Sequence, residues 1–219
     1  MARVTVVGGG VLGLTAALEL ARAGHLVRCV RDEPVSDTTS AVAGGLWFPY
    51  HVEPRARVLA WGRVALDRFT ALARDPDAGV PSRGQVALLA NPGLTRWVVD
   101  DDHPDGMVYA LPHPGWVVCG GTDVAGSWDT EPDRAVHEAI LRRVREVVPA
   151  LAGAEVLGAR VGLRPVAPEV RLAASDVGGR PVVSCYGHGG AGVTLSWGCA
   201  DEVVRLVGAA TGATRPTAP

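Results

Sequence analysis

The sequence contains no lysine, and all 21 of its basic residues are arginines. They are balanced by 23 acidic residues, which gives a formal net charge of −2 without any run of like charges. A nucleic-acid surface or an anionic membrane surface needs such a basic run, so neither is expected as a partner. Together with the abundance of alanine, valine and glycine, the exclusive use of arginine is typical of a GC-rich bacterial genome.

Long hydrophobic runs are also missing. The apolar stretch Val4–Ala21 contains four glycines and the acidic residue Glu19, whereas a membrane span needs about 18 to 20 uncharged apolar residues. We therefore interpret this stretch as part of the fold rather than as a secretory signal. The sequence predicts a soluble, cytoplasmic protein.

Cysteine is scarce, and its spacing follows no metal-binding pattern. Cys29, Cys119, Cys185 and Cys199 form neither C-x-x-C nor another common ligand spacing. The sequence therefore predicts reduced thiols and no metal site.

A glycine-rich fingerprint lies near the start of the chain. The predicted strand Val4–Val7 leads into Gly8, Gly10 and Gly13, which form G-x-G-x-x-G, and Asp32 follows Gly13 by 19 residues. A helical pattern from Val11 to Ala23 and a second apolar run, Leu26–Val30, connect this turn to Asp32, as in a parallel β-α-β unit. The glycines permit a tight turn and close approach of a pyrophosphate, and the acid can bind ribose hydroxyls. The pattern predicts a dinucleotide and leaves FAD and NAD open.

The remainder of the chain alternates short elements with breaks. A helical pattern covers Arg55–Arg74, the stretch Arg74–Gly84 marks a boundary, and Thr130 is the predicted N-cap of a third helix. The strand-like runs are Gln85–Ala90, Met107–Leu111, Trp116–Gly120, Glu155–Leu163, Glu169–Ala173 and Pro181–Tyr186. The first three are typical of an antiparallel meander.

A second glycine-rich stretch precedes the last predicted helix. Four glycines fall within Gly187–Gly192, and an amphipathic pattern then continues to Leu206. One dinucleotide needs only one phosphate cradle at a helix N-terminus, so the second cradle should face another group. A glycine-rich corner with packing duties alone is the alternative.

Five short strings resemble the successive signatures of the D-amino-acid oxidase family. They are TTSAVAGGLWFPY (Thr38–Tyr50), RGQ (Arg83–Gln85), YALP (Tyr109–Pro112), GLRPVAPEVRL (Gly162–Leu172) and YGHGGAGVTLSWGCA (Tyr186–Ala200). The strings occur in the family's order and in both halves of the chain. The resemblance implies an α/β fold in which a Rossmann-like FAD-binding domain, residues 1–75 and 175–219, is joined to a reduced antiparallel-sheet substrate domain, residues 82–174.

The resemblance also implies which residues hold FAD. The first glycine-rich loop would bind the pyrophosphate, and the second would lie against the flavin ring, so that one extended cofactor uses both cradles. The implied cofactor residues are Gly8, Gly9, Gly10, Val11, Leu12, Gly13, Asp32, Thr38, Thr39, Ser40, Gly44, Gly45, Leu46, Gly189, Gly190, Ala191, Gly192, Val193 and Thr194.

Three residues match family positions that bind the substrate. Arg164 in GLRPV would pair with the α-carboxylate, Tyr109 in YALP would donate a second hydrogen bond to it, and the carbonyl of Gly190 would accept from the amine. A planar guanidinium suits a carboxylate because it forms two parallel hydrogen bonds. From the residues alone, a surface ion pair for Arg164 and a strand aromatic for Tyr109 remain open. The implied reaction is oxidative deamination of a D-amino acid by O₂, giving a 2-oxo acid, ammonia and hydrogen peroxide.

The sequence departs from the family between Ala73 and Ser82, where family members carry a much longer insert. Part of the sheet and of the active-site walls is therefore expected to be missing, and FAD should dissociate more readily than from a full-length relative. A glycine or sarcosine type of oxidase and a non-catalytic, shortened FAD-binding relative remain alternatives, and a homodimer remains open. An NAD-dependent dehydrogenase would leave the second glycine-rich stretch without a role.

Overall fold

The chain folds into nine described strands and four described helices. The computed structural model describes residues 1–32, 34, 38, 40, 52–72, 85–124, 127, 129–162, 164 and 166–212. The elements are β1 (Arg3–Val7), α1 (Val11–Arg22), β2 (Leu26–Val30), α2 (Arg55–Leu72), β3 (Val86–Ala90), β4 (Val98–Asp100), β5 (Val108–Pro112), β6 (Trp116–Gly120), α3 (Arg134–Val147), β7 (Val156–Arg160), β8 (Val166–Val177), β9 (Arg180–His188) and α4 (Gly192–Thr211). None of the described helices combines the length and the apolar character that a bilayer crossing demands.

Two compact units divide these elements. Unit 1 contains the described residues within 1–41, 47–80 and 165–219, and unit 2 contains those within 81–164. The predicted domain boundary between residues 174 and 175 lies inside β8, all of which belongs to unit 1. The assignment of one unit to FAD and the other to substrate stays a prediction. The stretch Arg74–Gly84, where the family's long insert would lie, is outside the described residues.

Unit 1 begins with the β-α-β unit that the sequence predicts. β1 and β2 pair in parallel, from Arg3 opposite Leu26 to Val7 opposite Val30. α1 connects them and ends before Gly24, whose φ of +83° is a left-handed conformation that glycine adopts without a steric penalty. The described residues leave much of this two-stranded sheet open, since the Val7 side chain is 82% exposed.

Helix α4 forms the centre of unit 1. It packs against α1, α2 and the β8–β9 hairpin, and the hairpin leads into it through a single 3₁₀ turn, Gly189–Ala191. Every residue from Val193 to Ala200 is buried, which is the pattern of a helix covered on all sides. The same core includes Ala16 and Leu20 of α1, which lie one turn apart on its buried face.

Close packing of α2 on α4 depends on Gly198. A Cβ atom built on Gly198 would overlap the backbone of Trp61 in α2, whereas Gly153, outside this core, has open space around the same position. We expect Gly198→Ala to destabilise the protein by about 1–3 kcal/mol or more, because neither backbone can yield without moving a helix. Chemical denaturation should show this loss, and Gly153→Ala should stay within about 0.5 kcal/mol of the parent. Equal stability of both variants would contradict the steric role.

Unit 2 is a five-stranded antiparallel sheet with a helix packed on it. The strand order is β4-β5-β6-β3-β7, and every pair in it is antiparallel. Helix α3 buries Ile140 and Val144 in one cluster with Leu89 and Val117 of the sheet. The three predicted runs are antiparallel strands of one sheet, but they do not form the predicted meander, because β3 pairs with β6 and β7 and not with β5. Consecutive strands are neighbours only in β4-β5-β6.

The start of α3 differs from the prediction. Asp133, and not Thr130, is the N-cap, and its carboxylate accepts a hydrogen bond from the Val136 N–H at 2.9 Å. The side-chain amide of Gln85 donates to the Asp133 carbonyl at 2.9 Å. This long-range contact ties the N-terminus of the helix to the residue before β3.

Candidate functional site

The first glycine-rich loop forms a tight turn between β1 and α1. Gly8 has a φ of +115°, and its N–H donates to the Val30 carbonyl at 2.8 Å. A Cβ atom on Gly13 would overlap the Gly8 carbonyl oxygen, and one on Gly9 would lie 2.9 Å from Cδ of Arg31. The fold therefore requires small residues in this loop. Gly10 is the N-cap of α1 and has no side chain that could occupy the helix N-terminus.

Ser40 lies at the same helix N-terminus. Its hydroxyl oxygen accepts a hydrogen bond from the Val11 N–H at 2.8 Å, and a Cβ atom on Gly10 would lie 3.0 Å from that oxygen. A helix N-terminus with free N–H groups and a nearby hydroxyl suits a phosphate, because both the helix dipole and the N–H donors favour an anion. The geometry thus fits the predicted role of the loop and of Ser40.

The second glycine-rich stretch lies beside the first within unit 1. Gly189 has a φ of +53°, Ala191 is the N-cap of α4, and that alanine again offers no side-chain acceptor. The Leu12 side chain reaches to 4.0 Å from the Cβ position of Gly192. The Thr15 hydroxyl donates to the Ser196 carbonyl at 3.3 Å. Two helices whose N-cap residues carry no capping side chain therefore start next to each other, which is an arrangement that one extended anionic ligand can use at both ends.

The predicted cofactor residues fall into three groups. Gly8, Gly9, Gly10, Val11, Leu12, Gly13, Ser40, Gly189, Gly190, Ala191, Gly192, Val193 and Thr194 belong to the two adjacent helix starts. Thr38 is buried in unit 1, and Asp32 is exposed two residues past the end of β2. Thr39, Gly44, Gly45 and Leu46 lie outside the described residues, as does Phe48 in the same signature.

Arg164 lies in unit 2 with a largely buried side chain. It is 17% exposed, and its Nη1 lies 3.6 Å from Oδ1 of Asp123, a side chain that is itself 81% exposed. A loose ion pair with a solvated partner contributes little to stability. A mostly buried guanidinium can bind a carboxylate through two parallel, charge-assisted hydrogen bonds. Asp123 is not predictable from the sequence, because no local pattern connects it to Arg164.

Tyr109 lies on β5 in the same unit and interacts electrostatically with Arg164. Burial raises the pKa of the Tyr109 hydroxyl, and the positive charge of Arg164 opposes this shift only in part. The hydroxyl therefore keeps its proton at neutral pH and can donate a hydrogen bond. A Cβ atom on Gly120 would overlap the end of the Tyr109 ring, and one on Gly121 would lie 2.7 Å from its Cε1. These two glycines, which sequence reasoning missed, let the ring pack closely against the backbone at the end of β6.

An open pocket of 640 Å³ lies elsewhere in unit 1. Its described lining includes His25, Trp61, Asp201, Glu202 and Arg205, and it contains none of the predicted cofactor or substrate residues. In its wall, Nε and Nη2 of Arg205 donate to the two carboxylate oxygens of Glu202, each at 2.7 Å. We attach no function to this pocket.

Comparison with known proteins identifies the family of the chain. The sequence pattern of the family described as FAD dependent oxidoreductase matches residues 3–97 and 75–206. The D-amino-acid oxidase of Rubrobacter xylanophilus is 36% identical over 316 aligned positions, which cover 96% of this chain and 97% of that protein. The D-amino-acid oxidase of Streptomyces coelicolor is 34% identical and covers 93% of this chain and 96% of that protein. Since the chain has only 219 residues, about 100 positions of the longer alignment have no counterpart in it.

Solved structures show the same fold. Glycine oxidase from Bacillus cereus has a TM-score of 0.75 at 14% identity, covering 96% of this chain and 97% of that one. L-proline dehydrogenase from P. horikoshii has a TM-score of 0.61 at 12% identity, covering 98% of this chain and 95% of that one. Identities this low establish a shared fold and do not identify a substrate. With a family pattern that matches most of the sequence and a relative that is 36% identical over 96% of this chain, the chain belongs to the D-amino-acid oxidase family of FAD-dependent oxidoreductases, and its cofactor is FAD.

Proposed function

We propose that the protein catalyses the FAD-dependent oxidative deamination of D-amino acids. The observation that carries the proposal is the combination of Arg164 and Tyr109 in unit 2. A mostly buried guanidinium with a loose, solvated ion-pair partner and a protonated phenol that senses its charge together make a site for a carboxylate. The two relatives named D-amino-acid oxidase support the substrate class.

Arg164, Tyr109 and Gly190 would position the substrate in this reaction. Arg164 binds the α-carboxylate through two parallel hydrogen bonds, and Tyr109 donates a third to the same group. The Gly190 carbonyl accepts from the substrate amine, which is poised for oxidation when it is neutral. When bound, FAD supplies the chemistry by accepting the hydride of the α-carbon and returning two electrons to O₂. The imine that leaves takes up water, so that the products are a 2-oxo acid, ammonia and hydrogen peroxide.

In the proposed complex, the N-termini of α1 and α4 hold the two ends of the cofactor. Residues Gly8–Gly13 would hold the pyrophosphate, with Asp32 on a ribose. The first turn of α4, Gly192–Thr194, would present its N–H groups to the flavin ring, where a helix N-terminus stabilises negative charge. The missing positions do not remove either helix start, so the cradle is retained although its surroundings are reduced.

The test is a pair of measurements on the purified chain. Bound flavin is measured first from the visible absorbance spectrum and by FAD titration, for which we expect an apparent Kd weaker than nanomolar. Peroxide release is then measured with D-alanine and larger apolar D-amino acids, with their L-enantiomers, and with glycine and sarcosine. We expect turnover with the D-amino acids alone.

Each other outcome has a distinct meaning. Turnover only with glycine or sarcosine would replace the proposed substrate class with theirs. Bound flavin without turnover on any of these amines would make the chain a non-catalytic FAD-binding relative, and the missing positions would be the physical cause. Failure to bind FAD even at high concentration would contradict the assignment of both helix starts.

A further inference from the structure

Two cysteines and a histidine of unit 1 converge at the junction between β9 and α4. They are Cys185 on β9, His188 at the end of that strand, and Cys199 on α4. One ligand atom from each residue lies within 4.8 Å of the others, and Nε2 of His188 is 3.3 Å from Sγ of Cys199. Cys199 comes about two helical turns after Gly192. The helix therefore brings its thiol back toward the strand that precedes the turn.

Two of the three side chains are fully buried, and the histidine ring makes no strong hydrogen bond. His188 is 1% exposed and Cys199 is 0% exposed, whereas Cys185 is only partly buried. Nδ1 of His188 has no hydrogen-bond partner among the described residues, and its Nε2 faces sulfur, which is a weak partner. A histidine that serves only to hold the backbone would use its ring nitrogens on carbonyl or N–H groups. This imidazole is instead directed at two thiols.

The separations of the three donor atoms suit a single tetrahedral ion. Around Zn²⁺, with Zn–S of about 2.3 Å and Zn–N of about 2.0 Å, neighbouring ligand atoms lie roughly 3.5–3.8 Å apart. The 3.3 Å distance between His188 and Cys199 lies just below this range, and the 4.8 Å limit for the whole set is about 1 Å above it. Binding of an ion would therefore require side-chain rotations that draw the three donor atoms together. The partly exposed Cys185 provides a path by which an ion can enter.

We propose that Cys185, His188 and Cys199 form a binding site for a thiophilic divalent ion such as Zn²⁺. Two thiolates and an imidazole are ligands for zinc and not for Mg²⁺ or Ca²⁺, which prefer oxygen. Three protein ligands leave the fourth position of the ion for water or another small ligand. The site is independent of the proposed oxidase activity. It differs from the expectation of no metal site, because residues that are scattered along the sequence meet in the fold.

The experiment measures zinc binding by the full chain without an affinity tag. The protein is reduced with a phosphine, stripped with a chelator, and titrated with Zn²⁺ in competition with a chromogenic chelator. We expect one Zn²⁺ per chain with an apparent Kd of about 1 µM or tighter. Cd²⁺ should add thiolate-to-metal charge-transfer absorbance in the ultraviolet, and Mg²⁺ should neither bind at the site nor compete.

Single substitutions distinguish this site from adventitious binding. Cys185→Ser is expected to lower the affinity for Zn²⁺ by about tenfold or more. Removing a ligand should cost at least as much as removing a residue that orients a ligand. The matched control is Cys119→Ala, which removes a buried thiol of unit 2 whose Sγ lies 3.9 Å from the Val117 carbonyl oxygen. Cys185 is used in preference to the fully buried Cys199 because its substitution is less disruptive to folding.

Three results would overturn the proposal. The first is the absence of stoichiometric Zn²⁺ from the reduced parent, and the second is equal affinity in Cys185→Ser and Cys119→Ala. The third is a disulfide between Cys185 and Cys199 in protein purified without reductant, combined with no zinc binding after reduction. That result would assign the pair to thiol oxidation instead.

Discussion

Arg164→Ala should remove most of the turnover of the protein while its FAD content stays at the parent level. The side chain is mostly buried, and in the proposed site it binds the substrate carboxylate. Losing a desolvated, charge-assisted pair costs about 2–5 kcal/mol. This corresponds to a decrease of roughly 30-fold to several thousand-fold in kcat/KM. Peroxide release with D-alanine measures the effect, and the visible spectrum measures the flavin.

Two further variants test the geometry of the same site. Arg164→Lys should recover little activity, because an ammonium group cannot reproduce the two parallel hydrogen bonds of a guanidinium. Arg160→Ala removes an equal charge from the exposed end of β7 and should leave turnover within about twofold of the parent. If the parent is active and Arg164→Ala retains that activity, the carboxylate assignment is wrong and Arg164 is only the surface ion pair that the residues alone left open.

The local sequence was sufficient to predict the elements that surround the cofactor loop. The β-branched run before Gly8 and the helical pattern from Val11 give β1 and α1 within a residue or two of their observed bounds. This succeeds because the glycine requirement is itself local: Gly13 must be small where it meets Gly8, five residues away. The start of α4 was predictable for the same reason, since Gly189 takes a positive φ within its own turn.

Features that depend on residues distant in the sequence were not predicted from local patterns. β4 is only three residues long and is a strand because Val98, Val99 and Asp100 pair with β5. The N-cap of α3 is Asp133 and not the predicted Thr130. Both residues are good caps, and the choice between them is made where the helix start meets Gln85, 48 residues earlier in the chain.

The candidate site shows the same division between local and distant information. The resemblance named Arg164 and Tyr109 from short strings, but Asp123 is 41 residues from Arg164 and enters the site only through the fold. Gly120 and Gly121, which let the Tyr109 ring pack closely against the backbone, lie at the end of the neighbouring strand β6. Partners that are set by strand pairing have no sequence spacing that could reveal them.

The space around Gly10 decides whether a pyrophosphate can approach the helix. Gly10 has φ of −79° and ψ of 179°, which are extended values that other residues adopt without strain. A side chain at this position would therefore act by filling space and not by distorting the backbone. Its Cβ atom would already lie 3.0 Å from Oγ of Ser40, and the branched methyl groups of valine would extend over the N–H groups of the first turn.

Gly10→Val should consequently abolish FAD binding in a protein that still folds. We expect the FAD affinity to fall at least tenfold, or about 1.4 kcal/mol, in a fluorescence titration that begins with flavin-free protein. The thermal midpoint without FAD should change little, because the substituted side chain points into the ligand space. Ala21→Val is the matched control: it adds the same methyl groups to the exposed end of α1 and should leave the affinity unchanged. If Gly10→Val copurifies with as much flavin as the parent, the pyrophosphate does not bind at this helix start. The resemblance of the loop to a dinucleotide fingerprint would then reflect packing of α1 against β1 alone.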